Sequence, residues 1–310
     1  MLGGTLAWVA VVVNDVDAAA GVFERDFRLP RTDCAAGGTD RSVPVFAVGQ
    51  SAIAVFGRDD DFLGETPART GVHHIALGAP DLVAATRAAA AAGVPPAEPP
   101  TPGLQGRRRL RLSTEATAGV NTYLAEPLEL RRDTDGWVER IDHIGVASED
   151  NASAIETFTK RLGCPLESTQ TDLEVRIAVE SFTSDKYGAV YHSREPEPVG
   201  GLRVAFITVG DCELEFLQDF DPRHGADVKH GAPGTTKQDQ GAIARFVSSR
   251  GPGLHHLALK VTDINEALSS LAAAGHRVID RVGRPGSRRA LIGFVHPASL
   301  GGVLLHLVQR

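Results

Sequence analysis

Four stretches of the chain share one arrangement of apolar and polar positions. Each opens with a short apolar run, passes through an acidic or polar turn and continues into a helix-forming, mostly Ala-rich segment. They are WVAVVVNDVDAAAGVF from Trp8, HHIALGAPDLVAATRAAAAAGV from His73, DHIGVASEDNASAIETFTKRLG from Asp142 and HHLALKVTDINEALSSLAAAGH from His255. The apolar run predicts a buried strand and the segment after the turn predicts a helix. Asp15, Asp81, Asp150 and Asp263 stand where an N-cap would satisfy free backbone N–H groups, and Gly93, Gly163 and Gly275 stand where three of the helices should end. Alternating stretches such as VPVFAVGQSAIAVFG, LRVAFITVGDCELEFLQ and RALIGFVHPASLGGVLLHLVQ follow and read as about three antiparallel strands per repeat. The unit is therefore strand, helix, three strands, and it occurs four times. The run Leu6 to Val13 has no basic segment before it and is closed by Asn14 and Asp15, so it is expected to be a buried strand rather than a signal peptide or a membrane span.

Composition sharpens this picture in three places. A length of 310 residues suits two domains, and pairing the units puts them at 1–135 and 136–310, with the break in the charged stretch from Arg131 to Trp137. A net charge of -7 supplies no positive field for nucleic acid or anionic lipid. Cys34, Cys164 and Cys212 are odd in number and far apart, which gives neither a disulfide framework nor a Cys-x-x-Cys pair and fits a reducing cytoplasm.

The second half carries a more specific signal. Its DHIGV strand, its GLHHLA strand and its terminal FVHPASLGGVLL resemble the vicinal oxygen chelate superfamily, which includes glyoxalase I, methylmalonyl-CoA epimerase and the extradiol dioxygenases. The epimerase is the nearest local likeness, over most of residues 139–310, whereas the first half is similar chiefly through GVHHIAL and its helix. The resemblance implies an α+β fold of four βαβββ modules, paired so that curved mixed sheets enclose a divalent metal ion. It also implies one ligand from the first strand and one from the last strand of each module. Those positions fall on His143, Glu215, His256 and His306 in the second half, and on Trp8, Ala54, His74 and Tyr123 in the first, a set that holds no metal. Imidazole and carboxylate donors together suit Zn, Fe, Co, Ni or Mn. A strand buries alternate side chains, so a His in an apolar strand points into a core or a cavity and needs a partner there.

Spacing locates an insertion. Residues 143 and 215 are 72 apart where residues 8 and 54 are 46 apart, so the third module carries some 26 extra residues, expected around SFTSDKYGAVYHSREPEPVGG. Proton transfer is expected of Glu213, Tyr187, Tyr191 or His192, and Arg281, Arg284, Arg288 and Arg289 form a cluster able to clamp a carboxylate or phosphate. The family pattern is broken twice: the last-strand carboxylate is His306, and the epimerase's second Glu falls on Val204. The first change adds one positive charge at the ion and should strengthen its polarisation of substrate oxygens. The second removes one of the two proton-transferring groups that epimerisation needs. The expected function is a metal-dependent lyase or isomerase acting on a small oxygenated substrate. An Fe(II) dioxygenase of the extradiol or 4-hydroxyphenylpyruvate type and a non-catalytic binding or resistance protein are the alternatives. The expected partner is that small molecule, with room for a homodimer.

Overall fold

The computed structural model describes residues 4–64, 66–176, 179–193, 195–221 and 241–310. Its first half runs β1 (Leu6–Val13), α1 (Val16–Gly21), β2 (Arg31–Ala35), β3 (Ser42–Val48), β4 (Ser51–Gly57), β5 (Gly71–Gly78), α2 (Leu82–Ala91), β6 (Thr101–Pro102), β7 (Arg108–Arg111) and β8 (Thr122–Ala125). The second half runs β9 (Val138–Ser148), α3 (Asn151–Ile155), β10 (Leu166–Arg176), β11 (Val179–Ser184), β12 (Gly188–Ser193), β13 (Glu197–Val209), β14 (Cys212–Phe220) and α4 (Gly241–Arg250). It closes with β15 (Gly253–Val261), α5 (Ile264–Ala273), β16 (Arg284–Pro285), β17 (Leu291–Val295) and β18 (Leu305–Gln309).

Each half is an eight-stranded, curled mixed sheet, in the order β2-β3-β4-β1-β5-β8-β7-β6 and β10-β13-β14-β9-β15-β18-β17-β16. The central pair, β1 with β5 or β9 with β15, is antiparallel, and each member is flanked by a parallel last strand of its own module. This is the α+β architecture expected from the repeat. The first strand is buried as expected, with seven of its eight residues inaccessible. All four aspartates cap their helices: the carboxylates of Asp15, Asp81, Asp150 and Asp263 accept from backbone N–H groups in the first turn. Gly93, Gly163 and Gly275 adopt positive φ at the helix ends, a conformation that a side chain disfavours.

The helix-side faces of both sheets contribute to one shared core, which holds Val9, Phe23 and Ile75 of the first half and Ile144, Phe216 and Leu257 of the second. The opposite, concave faces differ. The first is covered by a single apolar cluster, and the second by two small clusters on either side of a cavity. The inserted residues form the β11–β12 hairpin, a separate two-stranded sheet between β10 and β13. Helix α4, which packs against β14, β9 and β15, is an element that the repeat did not foreshadow.

Candidate metal centre

Strand register brings the four ligand candidates together. Gly145 of β9 lies opposite both Glu215 of β14 and His256 of β15, while Ala258 lies opposite both His143 and His306. Adjacent strands therefore aim the four side chains at one point on the concave face. Gly145 makes room for them, because a Cβ there would overlap the His256 ring. His143 is 3% exposed, His256 4%, and Glu215 and His306 7% each.

The donor atoms converge. His143 Nε2 is 3.2 Å from His256 Nε2 and 3.2 Å from His306 Nδ1. Glu215 Oε2 lies 3.3 Å from His143 Nε2 and 3.5 Å from His256 Nε2. Donors bound about 2.0–2.2 Å from one ion stand about 2.9–3.5 Å apart, depending on whether their angles are octahedral or tetrahedral. The spacing therefore fits a single divalent ion, and among the described residues these three histidines are the group able to hold one.

The outer ring nitrogens are tied down. His143 Nδ1 is 2.9 Å from Asp142 Oδ2, and Asp142 is itself fully buried and bridged to Arg140 and Arg310 at 3.1 and 3.0 Å. His256 Nδ1 is 3.0 Å from His255 Nδ1. A ligating His whose second N–H has a partner keeps its lone pair on the nitrogen that faces the ion. His306 Nε2 is buried without a hydrogen-bond partner among the described residues, and its ring instead stacks on Phe294 at 4.3 Å.

Charge reflects the crowding. Burial alone would raise the Glu215 carboxyl, but His143 and His256 hold it well below the usual carboxylate range. Burial lowers His143, yet Glu215 and Asp142 outweigh it and push that imidazole up to about 9. Burial also pushes His306 well below its usual value, and the neighbouring His143 and His256 add to the effect.

The cavity above this cluster measures about 290 Å³. Its walls are apolar, from Leu202, Phe206, Ile243 and Ile292 among others, and its polar lining includes Asp172, Arg284, Arg288 and Arg310. Each of these arginines already has an acid: Arg284 has Asp280 at 3.0 Å, Arg288 has Glu213 at 2.6 Å and Arg310 has Asp142 at 3.0 Å. Of the expected arginine cluster, Arg281 and Arg289 do not line the cavity.

Of the expected proton-transfer residues, Glu213, Tyr187 and His192 do not join the histidines. Glu213 is held by Arg288 and Arg310 and does not line the cavity. Tyr187 is 76% exposed at the hairpin turn, with Lys186 Nζ 5.1 Å from its ring centroid, and neither it nor His192, also exposed, lines the cavity. Tyr191 pairs with Ser181 in the hairpin ladder, and its side chain lies outside the described residues.

Two carboxylates that line the cavity were missed. Asp142 was legible, since a ligating His wants an acceptor for its outer N–H and Asp142 adjoins His143. Asp172 was not, because its position over the cavity depends on the pairing of β10 with β13 across the inserted hairpin, which sets Asp172 opposite Leu202. Burial, and more weakly the charge of Glu215, raise its carboxyl above the ordinary value against a lowering hydrogen bond from Gln170.

Comparisons with known proteins agree with this architecture. Residues 142–294 and residues 5–137 match two family models, each described as glyoxalase/bleomycin resistance protein/dioxygenase superfamily. The mitochondrial methylmalonyl-CoA epimerase of Dictyostelium discoideum is 28% identical over 131 residues, 41% of this chain and 69% of that protein. The Bos taurus enzyme of the same name is 27% identical over 130 residues, 42% of this chain and 65% of that protein. A mutant 4-hydroxymandelate synthase from Streptomyces coelicolor shares the fold across both halves, with a TM-score of 0.65 at 18% identity, covering 100% of this chain and 93% of that one. No helix among the described residues is long and apolar enough to cross a membrane. With each half matched by a model of the same group, the chain belongs to the glyoxalase/bleomycin resistance protein/dioxygenase superfamily, the vicinal oxygen chelate superfamily.

Proposed function

We propose that the second half is a divalent-metal enzyme centre, in which His143, Glu215, His256 and His306 hold one ion and a small carboxylate, keto or thioester substrate undergoes a lyase or isomerase reaction beside it. The observation that carries this reading is the convergence of four buried donors from four strands at the floor of a cavity, with His143 Nε2 3.2–3.3 Å from each of the other three and Glu215 also 3.5 Å from His256. The donor set suits Zn, Fe, Co, Ni or Mn. Such an ion polarises neighbouring substrate oxygens as a Lewis acid and stabilises the negative charge that develops on them.

The rest falls to side chains of the chain. Asp142 and His255 fix the rings of His143 and His256. The apolar walls exclude water, which strengthens every electrostatic contact inside. Asp172, a half-buried carboxyl on the cavity wall with a raised pKa, takes the proton-transfer role. A single such group suits a lyase, or an isomerase that returns the proton to the same face, better than an epimerase working from two faces. The cavity volume of about 290 Å³ sits at the small end of ligand pockets and suits a small substrate.

Elemental analysis of the purified full chain tests the centre. One divalent ion per chain is expected, with loss of the ion in Glu215→Gln and His256→Ala; an unchanged metal content in both variants would sink the reading. Deuterium exchange next to the carbonyl of 2-oxo acids and thioesters in D2O tests the chemistry, with Asp172→Asn expected to retain the metal and lose the exchange. Oxygen consumption in place of exchange would transfer the centre to the dioxygenase alternative.

A further inference from the structure

Outside the metal cavity, a cleft of about 470 Å³ lies between the two halves. Arg58 and Arg69 reach it from the loops around β4 and β5 in the first half, and Arg250 from the end of α4 in the second. No Asp or Glu lines it among the described residues. Arg58 is held in place by the carbonyls of Pro67 and Ala68 at 3.1 and 3.2 Å, which orient it without neutralising it. The Arg250 guanidinium lies 4.9 Å above the Phe246 ring centroid. Burial lowers the Arg250 pKa, and the nearby Arg69 charge lowers it further.

This differs from the metal cavity, where every lining arginine has a carboxylate. The Arg69 and Arg250 charges oppose one another across this concavity, Arg58 adds a third cation to its lining, and guanidinium groups match phosphate oxygens in pairs of parallel hydrogen bonds. The cleft also touches the reaction site, because His255 and Leu304 line both spaces. His255 is the residue whose Nδ1 faces His256 Nδ1 at 3.0 Å, and its other neighbour is Phe246, 4.9 Å away edge to face.

We propose that the inter-domain cleft of Arg58, Arg69 and Arg250 is an anion subsite for a phosphate-class group, carried on the far end of the substrate or bound as the free anion. The substrate-borne form rests on the metal-centre reading above, whereas the subsite itself does not. It also gives the first half a role, since two of the three cations come from the half without a ligand set.

Isothermal titration of the full chain with inorganic phosphate, with and without chelator, tests the subsite. Phosphate should bind equally with and without metal, and the Arg69→Gln/Arg250→Gln double variant should bind at least about tenfold more weakly. Equal affinity in the double variant, no binding by the wild type, or binding that vanishes with the metal would each overturn the proposal. All three arginines are exposed, so the double variant should keep the wild-type melting temperature. In a second arm, 2-oxo acids with and without a terminal phosphate are titrated into metal-loaded protein. A preference for the phosphorylated acid that the double variant loses assigns the anion to the substrate, and phosphate binding without that preference assigns it to the free ion. If metal analysis fails while phosphate binding persists, the metal reading falls and the subsite stands.

Discussion

Where the second sheet has Gly145, the first has Ala10, and the surroundings of these two residues separate a core from a site. Each lies at the crossing of the same three strands: Ala10 faces Ala54 and His74, and Gly145 faces Glu215 and His256. The histidine pairs match as well. His74 Nδ1 is 2.8 Å from His73 Nδ1, as His256 Nδ1 is 3.0 Å from His255 Nδ1. The inner nitrogens diverge. His256 Nε2 faces His143 and Glu215, whereas His74 Nε2 lies 3.5 Å from the indole N–H of Trp8, which occupies the His143 position. The rest of the first face is filled by Phe56, Phe62 and Tyr123. Arg109 closes it, 94% buried, with its guanidinium 3.5 Å over Phe62 and 4.9 Å over Tyr123. One strand frame therefore builds a packed interior when its inward positions are aromatic, and a reactive cavity when they are imidazole and carboxylate.

The sharpest test of that division is a pair of truncations at the two faces. Trp8→Ala removes a large side chain from a filled core and should destabilise the protein by about 3–5 kcal/mol while leaving one metal ion per chain. His306→Ala should do the reverse. It removes the metal, yet shifts the stability of the metal-free protein by only about 1 kcal/mol, because the lost stacking on Phe294 is offset by deleting a buried ring nitrogen that had no partner. Urea unfolding with chelator and metal analysis without it measure both, and a large loss of metal in Trp8→Ala would mean that the two faces are not independent.

A second pair exchanges the residues at the crossing. A Cβ on Gly145 would overlap the His256 ring, so Gly145→Ala should push that ring off its position and weaken metal binding by about tenfold to a hundredfold. Ala10→Gly, the mirror change, should lower stability by about 1 kcal/mol through added backbone freedom and leave metal binding untouched. Competition with a coloured chelator reads the first and denaturant unfolding the second. Wild-type metal affinity in Gly145→Ala would show that the ring does not occupy the place where the structure puts it.

The sequence disclosed most of this frame because repetition made it redundant. Four aspartate caps and four apolar runs each repeated the same message; aligning DHIGV with HHLAL put residues 143 and 256 in one column, and the last-strand positions implied by the family resemblance added 215 and 306, all four at facing register positions. What stayed hidden depended on pairing between distant segments. Asp172 reaches the cavity only because β10 pairs with β13 beyond the inserted hairpin, and Arg58, Arg69 and Arg250 share a cleft only because the two halves dock. Glu213 shows the opposite effect. Its alternation with Glu215 on β14 was correctly legible, but the two arginines that neutralise it come from 75 and 97 residues further along the chain.

The smallest expected effect concerns the outer histidine of the first half. Trp8 donates to His74 Nε2, so His74 carries its hydrogen on Nδ1 and donates it to His73 Nδ1, which leaves that nitrogen of His73 unprotonated. Burial first, and then the charges of Arg111 and Arg109, lower the His73 pKa to about 4. In the unfolded chain a histidine titrates near about 6.5. Between those values the unfolded chain binds a proton that the folded protein refuses, so stability falls as the pH drops through that window. His73→Gln removes this penalty. The stability of the wild type relative to His73→Gln should therefore decline by about 1–2 kcal/mol between pH 7 and pH 4.5, after allowance for the solvent that still reaches the ring. Both proteins retain the same second half, so acid release of metal affects them alike and cancels in the difference. Urea midpoints measured at the two pH values give the answer, and a difference that does not change with pH would mean that His73 is charged in the folded state and that the first face is wetter than its packing implies.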